Sequence, residues 1–125
     1  MANYSSRVLE HFINPRNPGE IENPSGEGYS GNPSERNYMH VTIRVADGVI
    51  TEARFQSYTC LVAVAACSFL TEMVRGKTPE EAEHITPEDL AAGLGEVPPE
   101  RMDRCALATL ALRNAVVDYR KRKAP

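Results

Sequence analysis

The most reactive side chains in this sequence are three cysteines, Cys60, Cys67 and Cys105. Cys60 falls where an extended pattern gives way to a helical one. A thiol placed there faces the positive pole of the helix dipole, which lowers its pKa and favours the thiolate used in metal and sulfur chemistry. The alternative is a small buried hydrophobe, and the residues alone leave both open. Cys105 also stands at the start of an expected helix, with Arg104 beside it to favour a thiolate further. Its alternative is a core position on the face of Leu107 and Ala108. Cys67 differs, because seven residues of helix separate it from Cys60. That is about 10 Å at ~1.5 Å per residue, too far for two metal–thiolate bonds of about 2.3 Å to meet on one ion. Cys67 is therefore expected in the core. The imidazoles of His11, His40 and His84 share no ligand spacing with the cysteines and are expected at the surface.

The elements that must position these thiols follow from periodicity. Tyr4, Val8, Leu9, Phe12 and Ile13 repeat at helical spacing, which predicts a short first helix. Residues 14–34 are dense in Pro, Gly, Asn and Ser and read as an extended or mobile, linker-like connection, ordered only by packing elsewhere. Val41, Ile43 and Val45 then alternate with polar or small residues up to Asp47-Gly48, a hairpin turn. The returning strand places Val49, Thr51, Ala53, Phe55 and Ser57 on one face. Residues 61–75 predict a helix stopped by Gly76. Thr78-Pro79-Glu80-Glu81 and Thr86-Pro87-Glu88-Asp89 each open a short helix with a hydroxyl cap, a proline and acids in the first turn. Val97-Pro98-Pro99 is a rigid connector, and residues from about 102 to 120 form a long last helix. Strands first and helices after describe an α+β arrangement.

Bulk properties fit one domain over residues 1–125, with 42% hydrophobic and 25% charged residues. A formal net charge of −3 gives no electrostatic basis for nucleic-acid binding. The one basic run, Arg120-Lys121-Arg122-Lys123, reads as a solvated helix end. The longest apolar run, around residues 61–66, is too short to span a bilayer. Met1-Ala2-Asn3-Tyr4 does not resemble a targeting signal, and three cysteines without one suggest thiols in a reducing cytoplasm.

Several local signals occur together in the order used by one family. They are Val8-Leu9-Glu10-His11-Phe12 with Asn14-Pro15-Arg16-Asn17, then Gly31-Asn32-Pro33, then Asp47-Gly48-Val49-Ile50. Residues 53–60 (Ala-Arg-Phe-Gln-Ser-Tyr-Thr-Cys) and 71–78 (Thr-Glu-Met-Val-Arg-Gly-Lys-Thr) follow, and Val97-Pro98-Pro99 precedes Arg104-Cys105-Ala106. In this respect the chain resembles the IscU/NifU-like iron–sulfur cluster assembly scaffolds (the N-terminal NifU domain) almost end to end. It lacks the insert of the zinc-dependent SufU branch between residues 76 and 97. The resemblance implies a small antiparallel sheet of about three strands packed against several helices.

It also implies a scaffold or carrier and not an enzyme, one that binds iron or an iron–sulfur cluster for transfer to apo-proteins. Family members use three cysteines and an aspartate. The first cysteine position is held here by Glu35 and the aspartate position by Asn37, with Arg36 replacing the glycine between them. The other two cysteines correspond to Cys60, preceded by Thr59 in place of glycine, and Cys105, preceded by Arg104 in place of histidine. The implied ligands are thus Cys60 and Cys105, with Glu35 and Asn37 at the substituted positions. Zinc remains an alternative to iron for such a mixed donor set. The implied partners are a cysteine desulfurase and apo iron–sulfur proteins. The segment through which the family meets an Hsp70-type chaperone is reduced to Val97-Pro98-Pro99. Two further readings are a binding module that has lost assembly chemistry and a persulfide-accepting sulfurtransferase using Cys60 or Cys105.

Overall fold

The computed structural model describes residues 4–32, 34, 38–57 and 60–123. Its elements run α1 (Ser6–Ile13), β1 (Gly26–Ser30), β2 (Met39–Ala46), β3 (Val49–Ser57), α2 (Leu61–Met73), α3 (Pro79–Glu83), α4 (Pro87–Leu94), a 3₁₀ turn at Pro99–Arg101, and α5 (Met102–Lys123). The three strands form one antiparallel sheet in the order β1-β2-β3. No helix among the described residues is long and apolar enough to cross a membrane.

The β2–β3 hairpin turns through Asp47 and Gly48, at φ 53° and 81°, the left-handed pair that a two-residue turn needs. The expected single face from Val49 to Ser57 breaks near the turn. Arg44 pairs with Glu52 but Val45 pairs with Ile50, so Thr51 is the extra residue of a bulge. Ile50 swings into the core, Thr51 stays exposed, and Ala53 and Phe55 point inward as expected.

The segment 14–34, expected as a linker-like connection, contains β1. Its composition is poor for a strand, but the reason is steric. A Cβ on Gly28 would overlap the Ala111 carbonyl oxygen and the Ala115 amide nitrogen, and one on Gly26 would overlap the Ala115 carbonyl. Glycine lets α5 lie directly on the strand. Polar contacts then fix the pair. The Ser30 hydroxyl donates to the Leu107 carbonyl at 2.7 Å, Asn114 Nδ2 donates to the Tyr29 carbonyl at 2.7 Å, and the Glu27 N–H donates to Asp118 Oδ2 at 2.9 Å.

The core lies between the sheet and the helices and includes Met39, Val41, Ile43, Ile50, Phe55, Leu70, Leu90, Leu94 and Leu112. α5 contributes Cys105, Ala108, Thr109, Ala111, Leu112, Ala115 and Val116, a helical stripe of mostly small residues. α2 is buried nearly all round, at Val62, Ala63, Ala65, Ala66, Cys67, Ser68, Leu70 and Thr71. Both short helices carry full capping boxes, Thr78 with Glu81 and Thr86 with Asp89.

Two of the three histidines expected at the surface are buried. His11 on α1 is 4% exposed. Its Nδ1 lies 2.7 Å from Ser68 Oγ, its ring meets Phe69 edge-on, and Nε2 lies 3.6 Å from Glu72. His40 is 3% exposed, flat against Tyr29, with Nε2 3.0 Å from Glu27 and Nδ1 3.0 Å from Gln56. Only His84 is exposed. The partners of the buried pair come from other elements, which periodicity within one helix or strand does not register.

Two outcomes follow. Gly28→Ala should lower the urea midpoint by the equivalent of about 1–3 kcal/mol, the usual cost of forcing volume into a packed contact. The second concerns His11, whose imidazole is held below its ordinary value of 6.5 first by burial and then by the Arg16 charge, with Glu72 and Glu10 opposing. The unfolded chain therefore binds more protons below that pH. The stability is present above 6.5 and is lost as the pH falls through the depressed folded value. Urea midpoints followed from about pH 8 to about pH 5 should fall more steeply for wild type than for His11→Asn.

Candidate metal and sulfur site at two helix starts

Cys60 is the N-cap of α2, in extended backbone at φ −83° and ψ 173°. Its carbonyl accepts the Val64 N–H at 3.2 Å, while its side chain makes no capping bond to the helix. The thiol is half-buried and packs against the edge of the core. Cys60 thus stands at a helix N-terminus, where the change of period in the sequence placed it.

Cys105 lies in the first turns of α5 but in a different environment. It is fully buried, and its thiol is pushed up to about 11, first by burial and then by the carboxylates of Asp103 and Glu88. The expectation that Arg104 would favour a thiolate is corrected by the geometry. The Arg104 guanidinium donates to the Asp103 carboxylate, so its charge is balanced one residue away. Burial is the larger cause, and the carboxylates of Asp103 and Glu88 act in the same direction. Arg104 is itself largely buried, and its Nε–H has no acceptor among the described residues.

Cys67 is in the core as expected. Its S–H points to Met39 Sδ at 3.6 Å, and burial raises its pKa to about 12. Glu35, Arg36, Asn37 and Thr59 lie outside the described residues. Just before them, Gly31 turns at φ 77°, and Asn32 Oδ1 accepts from the Ser34 N–H at 3.0 Å. Among the described residues no group of three or more His, Cys, Asp and Glu side chains is arranged to hold a metal ion. The histidines do not join the cysteines: His11 serves the α1–α2 contact, His40 the sheet, and His84 hydrogen-bonds the Glu80 carbonyl.

One feature, between the motif of residues 14–19, β3 and α2, was not expected from sequence. A groove of about 320 Å³ is lined by Pro15, Pro18, Gly19, Phe55, Gln56, Ser57 and Val64. The motif Asn14-Pro15-Arg16-Asn17-Pro18-Gly19 forms one wall because it pairs with β3. The Gly19 N–H donates to the Phe55 carbonyl at 2.7 Å, and the Phe55 N–H to the Asn17 carbonyl at 3.1 Å. The same motif reaches α2, through the Arg16 N–H to Ser68 Oγ at 2.9 Å and Asn17 Nδ2 to Thr71 Oγ1 at 3.2 Å. The available sequence signal was the density of Pro and Asn, which marks turns without naming what they pack on.

Comparison with known proteins gives a consistent result. Residues 3–125 match the model of the NifU-like N-terminal domain. The iron–sulfur cluster assembly scaffold protein IscU 1 of Archaeoglobus fulgidus is 46% identical over 116 residues, covering 93% of this chain and 76% of that protein. The IscU scaffold protein of Escherichia coli K12 is 39% identical over 124 residues, covering 96% of each. Among solved structures, the N-terminal part of a nitrogen-fixing NifU-like protein from Brucella abortus superposes with TM-score 0.73 at 18% identity, covering 96% of this chain and 95% of that one. A SUF-system scaffold from Fervidobacterium islandicum gives the same TM-score at 18% identity, covering 90% of this chain and 96% of that one. At that identity these two establish the fold alone.

Cys67→Ser tests the core assignment. The smaller, more polar hydroxyl gives up the thiol's packing against the Met39 thioether and is buried in its place, at a cost of about 1–3 kcal/mol. A clear drop in the thermal midpoint is expected, and an unchanged midpoint would remove Cys67 from the core.

Proposed function

The chain belongs to the NifU-like N-terminal domain family, and we propose on that premise that it is an iron–sulfur cluster assembly scaffold. It receives iron and sulfide as cargo, holds them, and passes them to recipient apo-proteins. The observation that carries this reading is the placement of Cys60 and Cys105 at the starts of α2 and α5, two helices that pack on each other, within a family match running from residue 3 to 125.

The two thiols would enter the chemistry differently. Cys60 is half-buried at the positive end of a helix and is the first point of contact for a soft metal or a sulfur donor. Cys105 must give up a tightly held proton before its sulfur can bind iron, so its ligation is coupled to proton release. A cluster usually takes four protein ligands. Glu35 would supply a carboxylate oxygen and Asn37 a neutral amide oxygen, a harder and less anionic set than three thiolates and an aspartate. Such a set favours a cargo that is loosely held and readily passed on. A cysteine desulfurase as sulfur source and apo iron–sulfur proteins as recipients complete the reading.

Anaerobic reconstitution with ferric iron and sulfide tests it. Wild type should develop a visible charge-transfer absorption that Cys60→Ser abolishes and Glu35→Cys strengthens. A wild-type protein that stays colourless and retains no iron would overturn the assignment.

A further inference from the structure

We propose that His40, Gln56 and Glu20 form a site for one divalent first-row transition-metal ion on the outer face of the sheet, with Glu27 positioning the imidazole from behind. The donors are nitrogen and oxygen and include neither Cys60 nor Cys105, so the site goes beyond the scaffold reading and does not depend on it.

The strand register brings the donors together. Tyr29, His40 and Gln56 are direct partners across β1, β2 and β3. Met39, Val41 and Ile43 point into the core, so His40 and Thr42 between them point to the opposite face. His40 is buried there because the Tyr29 ring lies flat on it, with 4.2 Å between centroids and 4° between planes. Glu20 reaches the same place from the segment before β1. The neighbouring Ile21 N–H donates to Thr42 Oγ1 at 3.0 Å, which seats that segment on the same face, two residues along β2 from His40.

The hydrogen bonds decide which ring nitrogen is left to bind. Glu27 Oε1 lies 3.0 Å from His40 Nε2 and accepts the Tyr29 hydroxyl at 3.1 Å, while Glu27 Oε2 accepts from Arg122 at 3.0 Å. The His40 bond, above all, holds the Glu27 carboxyl below its ordinary value against the opposing effect of burial. An ionised carboxylate only accepts, so Nε2 carries the proton of the neutral imidazole and Nδ1 carries the lone pair. That lone pair faces two more oxygens, Gln56 Oε1 at 3.0 Å and Glu20 Oε2 at 3.9 Å. A carboxylate behind one ring nitrogen and oxygen donors around the other is the arrangement of a metal-bound histidine. Adjacent ligands on an ion with bonds of about 2.1 Å stand about 3.0–3.4 Å apart. Gln56 is already at that separation, and the exposed Glu20 side chain reaches it by turning. Imidazole, amide and carboxylate suit zinc, ferrous iron or cobalt better than a soft cuprous ion.

The test is titration of the wild-type protein with zinc chloride at constant neutral pH, read in long-range proton–nitrogen NMR spectra of the imidazoles. Before zinc, His40 should show a protonated Nε2 and a bare Nδ1. Zinc should move the His40 Nδ1 resonance to the position of a metal-bound nitrogen and leave the buried His11 in place. Glu20→Gln, a change at an exposed side chain, should weaken that response at least about tenfold, and Glu27→Gln should weaken it about 10–100-fold, the usual loss when the partner behind a metal-bound histidine is removed. Cys60→Ser should leave it unchanged. An Nδ1 resonance that stays in place at excess zinc overturns the proposal, whether that nitrogen is then protonated or bonded to a Gln56 amide turned the other way. So does a response that Glu20→Gln leaves untouched, because the ion would then be held by the imidazole alone. Zinc taken up by Cys60 does not move these resonances. A failure here therefore leaves the scaffold reading to the iron and sulfide reconstitution, and a failure of that reconstitution leaves this site standing.

Discussion

Direct contact between the backbones of α5 and β1 sets the distances at which the rest of the molecule packs. It is possible because Gly26 and Gly28 present no Cβ to Ala111 and Ala115. With α5 drawn down onto the sheet, its small residues Ala108, Ala111 and Ala115 meet the core in place of bulkier ones, and α2 is enclosed between α5, α1, α4 and β3. The same contact fixes the depth of Cys105, which lies at the start of the helix that the glycines bring in. A buried thiol is thus positioned by a strand that it does not belong to.

How much of this was legible in the sequence depended on the range of the interaction. The capping boxes at Thr78 and Thr86 and the turn at Asp47-Gly48 are set by neighbours within four residues, and the structure has them where the sequence placed them. The core position of Cys67 was legible because helical spacing alone separates it from Cys60. β1 was not legible, because its glycines are selected by a helix some 85 residues downstream, as in the bond between Asn114 and Tyr29. The bulge at Thr51 and the burial of His11 and His40 were hidden for the same reason. At the candidate site, the backbone position of Cys60 could be read from the change of period, but the proton affinity of Cys105 could not. It is set by burial, by the neighbouring Asp103, and by Glu88, which sits on another helix.

The two retained cysteines show how similar sequence contexts diverge in three dimensions. Both stand near helix starts, and a dipole argument applied to each would predict two comparable thiolates. For Cys105 the desolvation of a charged sulfur outweighs the dipole, and two carboxylates act in the same direction. Position at a helix start therefore does not fix the proton affinity of a thiol; its burial and its charged neighbours do.

The motif of residues 14–19 links α1, β3 and α2, and this bears on how the chain folds. The partners of His11, Arg16 and Asn17 on α2 lie 52 to 57 residues further along the chain, and the Ser5 hydroxyl donates to the carbonyl of Leu94, 89 residues away. The N-terminal segment therefore leaves the ribosome well before anything exists for it to bind. Closing such long loops is entropically slow, and the reward comes only once β3 and α2 are in place. α1 is in this sense a late-docking element. Its outward Leu9, Phe12 and Ile13, still exposed in the finished fold, leave the nascent chain an apolar surface before β3 and α2 are made.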